Sequence, residues 1–189
     1  MPEYTLTALS ALNGYKETFD GVALVELTDL AVVSIATPQG GEDALLKAVE
    51  NNYGVTVPQP GKANLSKDGS TRFLGMSPDQ MFAIFDHAKP DAVDVVAEKL
   101  KDTGYYTLQS DNWVGLRISG PKCLDALERI SPIDLSPAAF PVGSVARTSM
   151  EHMGVIVYPE DADSFVLISA SSSAASFLHA VVTSINNVL

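Results

Sequence analysis

The sequence has little cysteine and little positive charge. Its 189 residues include one cysteine, Cys123, which cannot form an intramolecular disulfide, and 46% of the residues are hydrophobic. A chain of this size can bury a sizeable core without disulfides, and a lone thiol fits a reducing compartment. The chain has 12 lysine and arginine residues and 23 acidic residues, which gives a formal net charge of -11. Such a surface repels phosphate backbones and anionic lipids, which argues against nucleic acid and membrane partners.

Long hydrophobic runs are also missing. No segment approaches the roughly 18 uninterrupted apolar residues that span a membrane. Residues 1–4 lack the basic flank and the apolar run of a secretory signal. We therefore expect a globular cytoplasmic protein.

Short apolar runs instead alternate with helical patterns along the whole chain. The first half predicts strands at residues 21–27, 30–36, 72–76 and 81–85, a helix from Glu42 to a cap at Gly54, a loop with one weak strand at 56–70, and a helix from Pro90 to Gly104. The second half predicts strands at residues 113–119, 145–148, 155–158 and 165–169, a helix from Cys123 to Ile130, and a closing helix from Ala174 to Ile185 behind the capping serines 171–173.

The pattern of the first half begins again after about 80 residues, by direct comparison. The recurring features are the strand stop at Pro38 and at Pro121, the turn at Pro78 and at Pro159, and the helix after Pro90 and after Ser173. We expect one domain of residues 1–189 with an internal repeat, residues 25–108 and 109–189. Each half reads β-α-β-β-α, which predicts an α+β fold with mixed or antiparallel sheets covered by helices.

Metal ligands do not occur at ligand spacing. His87, His152 and His179 are isolated in the sequence, and no paired cysteines or His-Glu-x-x-His pattern accompanies them. His179 adjoins apolar positions of a predicted helix, which favours a packing or surface role. The acids of residues 160–163 lack the ligand spacing of an EF-hand and indicate a solvated turn.

Nucleophile and phosphate motifs are absent in the same way. Cys123 begins a predicted helix, where the helix dipole lowers a thiol pKa, but its place on one apolar stripe with Leu127 favours a buried structural residue. The pair Gly40-Gly41 lacks the remaining glycines of a dinucleotide fingerprint and reads as a turn. Serines 169–173 lack a Gly-x-Ser-x-Gly elbow and read as a helix entrance.

Carboxylates are the remaining candidates for acid–base chemistry. Asp29, Asp111, Asp134 and Glu151 have this potential, but the sequence does not reveal how they lie relative to one another. We therefore predict no catalytic, cofactor-binding or metal-binding residue in this chain.

Five segments of the second half resemble the gamma subunit family of heterotetrameric sarcosine oxidase. These are residues 114–121, 124–127, 131–135, 142–148 and 165–168. The resemblance implies a fold similar to the folate-binding domain of glycine-cleavage aminomethyltransferases, which also has two related halves. In those enzymes a glycine-rich hairpin carries the catalytic Asp to folate. The comparable residues 152–157 contain no carboxylate, so the resemblance does not imply folate chemistry here.

The resemblance also implies partners. The complex would contain alpha, beta and delta subunits that carry FAD, covalently bound FMN, NAD, tetrahydrofolate and zinc, and would oxidise sarcosine to glycine, while this chain would hold no cofactor and act in assembly. Two alternatives stay open: the equivalent subunit of an N-methylglutamate dehydrogenase-type complex, and a stand-alone folate or small-molecule binding protein.

The two kinds of function predict different surfaces. An assembly subunit should expose an apolar patch, with Phe73, Met76, Phe140, Met150 and Met153 as candidates, although core packing explains each equally well. A binding protein should instead have a deep pocket between its halves with convergent polar groups, for which the sequence offers residues 134, 147 and 151 (Asp, Arg and Glu).

Overall fold

A computed structural model describes residues 9–188. Their strands are β1 (Lys16–Phe19), β2 (Val22–Glu26), β3 (Leu30–Ala36), β4 (Ala63–Leu65), β5 (Thr71–Ser77), β6 (Gln80–Asp86), β7 (Tyr105–Leu108), β8 (Trp113–Ser119), β9 (Ala146–Met150), β10 (Met153–Asp161) and β11 (Ser164–Ala170). The α-helices are α1 (Glu42–Tyr53), α2 (Ala92–Leu100), α3 (Cys123–Glu128) and α4 (Ala174–Asn186). One-turn 3-10 helices lie at Lys101–Thr103, Ser110–Asn112 and Ser171–Ser173.

The strands form two sheets, and every strand pair within residues 9–188 is antiparallel. The six-stranded sheet has the order β1-β2-β8-β11-β10-β9, and the five-stranded sheet has the order β4-β5-β6-β3-β7. The two sheets pack face to face, with helices on both outer sides, so the layers run helix, sheet, sheet, helix. The predicted α+β class is confirmed.

The alternation of side chains along each strand explains these layers. In β3, Val33 and Ile35 pack against α1 and α2, while Val32 packs into the layer between the sheets. In β11, Leu167 packs against α3 and α4, while Val166 packs between the sheets. Because the central strands are buried on both faces, they read in the sequence as continuous apolar runs.

Two strands, β2 and β7, pair in a different sheet from the strand that follows them in the chain. β2 directly precedes β3 but joins the six-stranded sheet beside β8, and β7 directly precedes β8 but joins the five-stranded sheet beside β3. The division at residues 25–108 and 109–189 stays a prediction, and its first boundary falls within β2. The sequence missed β1 and β7 because both are short, largely exposed edge strands with no apolar alternation.

Close backbone approaches fix the crossing between the sheets. The Leu27 N–H donates to the Gly115 carbonyl at 2.9 Å. A Cβ atom at Gly115 would lie 2.7 Å from Cδ2 of Leu30, so glycine lets the β2–β3 connection rest on β8. At the other side, the Ala63 N–H donates to the Gly143 carbonyl at 2.8 Å. These contacts hold the two sheets in one arrangement.

Helix ends differ partly from the predictions. Gly54 caps α1 as predicted, in the left-handed region with φ 65°, and its N–H donates to Glu50. Helix α2 begins at Ala92 rather than Pro90 and ends at Leu100, because the next residue has φ 53°. The predicted serine cap of α4 is wrong: the Ser173 hydroxyl donates to the Ala170 carbonyl at 3.1 Å and accepts no helix N–H.

Candidate functional site

A cavity lies at the end of the inter-sheet layer, where the connections β2–β3 and β7–β8 cross from sheet to sheet. Its volume is about 770 Å³. Apolar walls come from Leu27, Leu30 and Val32, and the indole of Trp113 adds an aromatic surface. Cavities of this volume commonly bind small molecules in proteins.

Trp113 has a specific place in this cavity. Its ring packs against Phe82, with ring centroids 6.2 Å apart. The indole Nε1 is buried, and no group within residues 9–188 accepts its hydrogen. A buried N–H group without an acceptor costs about 1–3 kcal/mol.

The charge of the cavity is negative. Glu26, Asp29 and Asp111 are among its lining residues, and the described lining contains no Lys or Arg. Hydroxyls come from Ser110 and Ser171. Such a lining would attract a cation and repel a carboxylate or phosphate.

Glu26 is the most buried of these acids, with its side chain held by local donors. Its carboxylate accepts hydrogen bonds from the Ser10 hydroxyl at 2.8 Å, the Leu12 N–H at 2.9 Å and the Gly14 N–H at 2.7 Å. These bonds satisfy the charge and fasten the segment before β1 onto β2. Glu26 therefore builds the cavity wall. Sequence reasoning missed it, although an acid that replaces an inward-facing apolar residue at the end of β2 was a usable signal.

His87 also reaches the cavity but is paired. Its Nε2 lies 2.5 Å from the Asp91 carboxylate, and its backbone N–H donates to the Asp29 carbonyl at 2.7 Å. The hydrogen bond with His87 lowers the pKa of Asp91. This imidazole is thus oriented toward the start of α2, and the backbone bond positions Asp29 at the cavity mouth.

Only some of the predicted polar candidates lie at the same site. Asp29 and Asp111 line the cavity, whereas the expected convergence of Asp134, Arg147 and Glu151 between the halves is wrong. The Asp134 carboxylate is exposed and accepts from the Ser136 N–H at 2.8 Å, which lowers its pKa. Glu151 lies in the β9–β10 turn with φ 46° and lines a separate small pocket near His179 on α4.

The acidic residues at the end of β10 have two different environments. The prediction of a solvated turn is wrong for Glu160. Its carboxylate accepts two hydrogen bonds from Arg117, at 2.5 Å from Nε and 3.0 Å from Nη2. Asp161 and Asp163 are exposed. Within residues 9–188, no group of three or more His, Cys, Asp or Glu side chains is placed to hold a metal ion.

Cys123 is structural, as the apolar stripe indicated. Its side chain is buried beside Leu127 in the core under α3 and α4. Burial is the main cause that raises the pKa of its thiol to about 11, with further contributions from nearby acids such as Asp163. The helix start does not activate it.

The apolar surface differs from the one predicted. Phe73 and Met150 are fully buried, so their assignment to an exposed patch is wrong. Met76, Phe140 and Met153 are half-buried. The exposed large apolar side chains are those of Leu9, Leu46, Leu65, Tyr105, Leu108 and Val142. None of the helices in residues 9–188 has both the length and the apolar character that a membrane crossing requires.

Comparisons with known proteins give structural matches only. No family model matches the chain, and no curated protein matches its sequence. Among solved structures, the chain is similar to a chain of heterotetrameric sarcosine oxidase from Corynebacterium sp. U-96 in complex with pyrrole 2-carboxylate. The TM-score is 0.74 with 23% identity, and the match covers 88% of this chain and 84% of that one.

A second structure has the same fold in a longer chain. This is the glycine cleavage system aminomethyltransferase T from Bartonella henselae, with a TM-score of 0.63 and 8% identity. The match covers 85% of the present chain but 45% of the aminomethyltransferase, so the present chain spans under half of its length. The fold expected from the sequence resemblance is therefore the observed fold.

Proposed function

We propose that this chain is a non-catalytic assembly subunit of a heterotetrameric, sarcosine oxidase-type complex. The observation that carries the proposal is the structural match to a chain of such an oxidase over 88% of one chain and 84% of the other. Because both shares are high, the two chains are similar in length and correspond nearly end to end. A fold match of this extent supports an equivalent place in an equivalent complex.

The hairpin β9–β10 supports the non-catalytic part of the proposal. By the sequence resemblance, the comparable hairpin of aminomethyltransferases carries a catalytic Asp. Here Val155 and Val157 pack under the helices, while Ile156 and Tyr158 pack between the sheets. A carboxylate at any of these buried positions would be costly without a partner. The apolar strand thus serves packing rather than proton transfer.

The cofactors would belong to the other subunits. In this proposal the alpha, beta and delta chains hold FAD, FMN, NAD, tetrahydrofolate and zinc, and oxidise sarcosine to glycine. The present chain contributes a folded surface that stabilises them. The complex would work in the cytoplasm, where Cys123 stays reduced.

The test compares the isolated chain with the assembled complex. We would co-express it with the alpha, beta and delta chains, then measure mass by light scattering and sarcosine-dependent oxygen uptake. We expect one heterotetramer whose activity and thermal stability fall when this chain is omitted. Amine oxidation by the isolated chain, or failure to join the other subunits, would overturn the proposal.

The cavity of about 770 Å³ favours a second candidate function, which is small-molecule binding. Its lining argues against folate, since the glutamate tail of tetrahydrofolate would meet Glu26, Asp29 and Asp111 without a balancing cation in the described lining. A secondary amine in its protonated form fits better. Titration calorimetry with dimethylamine, a protonated secondary amine without a carboxylate, and with tetrahydrofolate decides: binding of the amine that Asp111→Asn weakens would favour this function, and binding of neither would remove it.

A further inference from the structure

Strands β2 and β7 have corresponding positions in the two sheets, but only β2 is covered by a further strand among residues 9–188. In the six-stranded sheet, β2 lies beside β8 and is covered on its other side by β1, which pairs antiparallel with it over Val22–Val25. In the five-stranded sheet, β7 lies beside β3 in the corresponding position. Over residues 9–188, no strand covers its outer side.

The phase of the ladder shows which backbone groups of β7 face outward. The Gln109 N–H donates to the Val32 carbonyl at 2.8 Å, so Gln109 faces β3. In an antiparallel strand, the N–H and C=O groups of successive residues point alternately to the two sides of the strand. Thr107 and Tyr105 therefore also bond toward β3, while the N–H and C=O groups of Tyr106 and Leu108 point away from the sheet.

The other sheet edges carry charge or cover that β7 lacks. Natural edge strands are blunted by charge, by shortness or by cover. β1 presents Lys16 and Glu17, and β9 presents Arg147. β4 has three residues, and an isolated bridge ties the residue before it to Ser144. β7 reads Tyr-Tyr-Thr-Leu, with no charge and no proline, and such residues favour strands.

The side chains of β7 are exposed as well. Tyr105 is 68% exposed and Leu108 is 36% exposed, both high for large apolar or aromatic residues. Tyr106, between them in sequence, packs onto the core of the five-stranded sheet. The strand is thus anchored on one side and open on the other, both in backbone and in side chains.

We infer that the outer edge of β7 receives an extended strand from a partner subunit, antiparallel to β7, in the position that β1 occupies on β2. The inference rests on the proposed assembly function and names its contact. Main-chain bonds to Tyr106 and Leu108 would supply affinity, as in other cases of strand addition. By analogy with Phe19 of β1, which packs at the rim of the core, the incoming strand carries one apolar side chain on the helix side of the sheet.

Charge selects a partner chain over a second copy of this one. Two copies meeting at β7 would each bring a net charge of -11. That repulsion opposes self-association, whereas a strand flanked by Lys or Arg would be drawn to the acidic surface. The incoming segment should therefore be short, β-prone and neutral to basic.

The experiment follows the backbone amides of β7 by hydrogen exchange in the isolated chain and in the complex with the alpha, beta and delta chains. We expect exchange at Tyr106 and Leu108 to slow about tenfold or more on assembly, because these amides gain acceptors. Leu108→Pro removes one outward donor, and Tyr105→Lys charges the edge without changing the backbone. Each should weaken assembly about tenfold or more. The matched control Val142→Lys alters another exposed apolar residue, 58% exposed, and should have little effect.

The outcomes separate this inference from the function beneath it. A wild-type complex whose β7 amides exchange as fast as in the isolated chain would overturn the strand addition but leave the assembly function intact. Absence of any complex would overturn both. A dimer of the isolated chain with protected β7 amides would assign the edge to a second copy. Protection in the isolated monomer that disappears when residues 1–8 are deleted would assign it to the chain itself.

Discussion

Lys62, which precedes β4, pairs with Ser144, which precedes β9, in an antiparallel bridge between the two sheets. The flanking bonds run from the Ala63 N–H to Gly143 and from the Val145 N–H to Gly61, at 2.8 and 3.1 Å. Residues with corresponding places in the two strand orders thus contact each other. The bridge and its flanking bonds tie the segment before β4 to the segment before β9.

Gly115 should be sensitive to any larger side chain. Gly115→Val places methyl groups where Leu30 and Leu27 cross β8, and we expect it to lower the free energy of unfolding by about 1–3 kcal/mol through overpacking. Gly154→Val is the control, because a Cβ atom there meets nothing within 4 Å. Urea unfolding measures both. Equal effects of the two substitutions would show that the crossing is not tightly packed.

Glu26 should be important for stability. Glu26→Ala leaves the Ser10 hydroxyl and the Leu12 amide without their acceptor, while the Gly14 amide keeps only the Ser10 hydroxyl. We expect the free energy of unfolding to fall by about 1–3 kcal/mol. The control is Glu50→Ala on the exposed face of α1. Thermal unfolding of both variants is the measurement. A Glu26→Ala protein as stable as the control would contradict the structural role.

Asp68 should contribute to the acid sensitivity of the protein. Hydrogen bonds from the Ser66 hydroxyl and from Ser70 lower the pKa of Asp68 from 3.8 to about 2. Because the folded-state pKa is depressed, this stabilisation is present above pH 4 and is lost as the pH falls toward 2. Asp68→Asn should therefore flatten the decline of the melting temperature in that window. An unchanged pH profile would contradict the assignment.

Cys123 should be unreactive in the folded protein. With a thiol pKa of about 11, the thiolate fraction at pH 8 is about 100-fold below that of an ordinary thiol, and burial blocks access besides. Labelling with a disulfide reagent before and after denaturation measures this. Rapid labelling of the native chain would show that the core around α3 opens readily.

Sequence reasoning could predict the fold better than the cavity. Continuous apolar runs such as residues 30–36 and 165–169 indicated strands that are buried on both faces, and Gly54 indicated the end of a helix. The cavity depends on contacts between residues distant in sequence, such as the bond from Val32 N–H to the Ser110 hydroxyl at 3.0 Å. No local pattern encodes which of several scattered acids meet. Asp29 and Asp111 looked no different in sequence from Asp134, which lies elsewhere.

Because the leading strands cross between the sheets, we expect residues 9–188 to unfold as one cooperative unit. β2 belongs to the sheet built mainly from the end of the chain, and β7 belongs to the sheet built from its beginning. Cleavage between β7 and β8 would give two fragments, of which the second lacks β1 and β2 and exposes the apolar flank of β8. Neither sheet is then a separable foldon. The two fragments should instead refold together by complementation, and each alone should stay unfolded or aggregate.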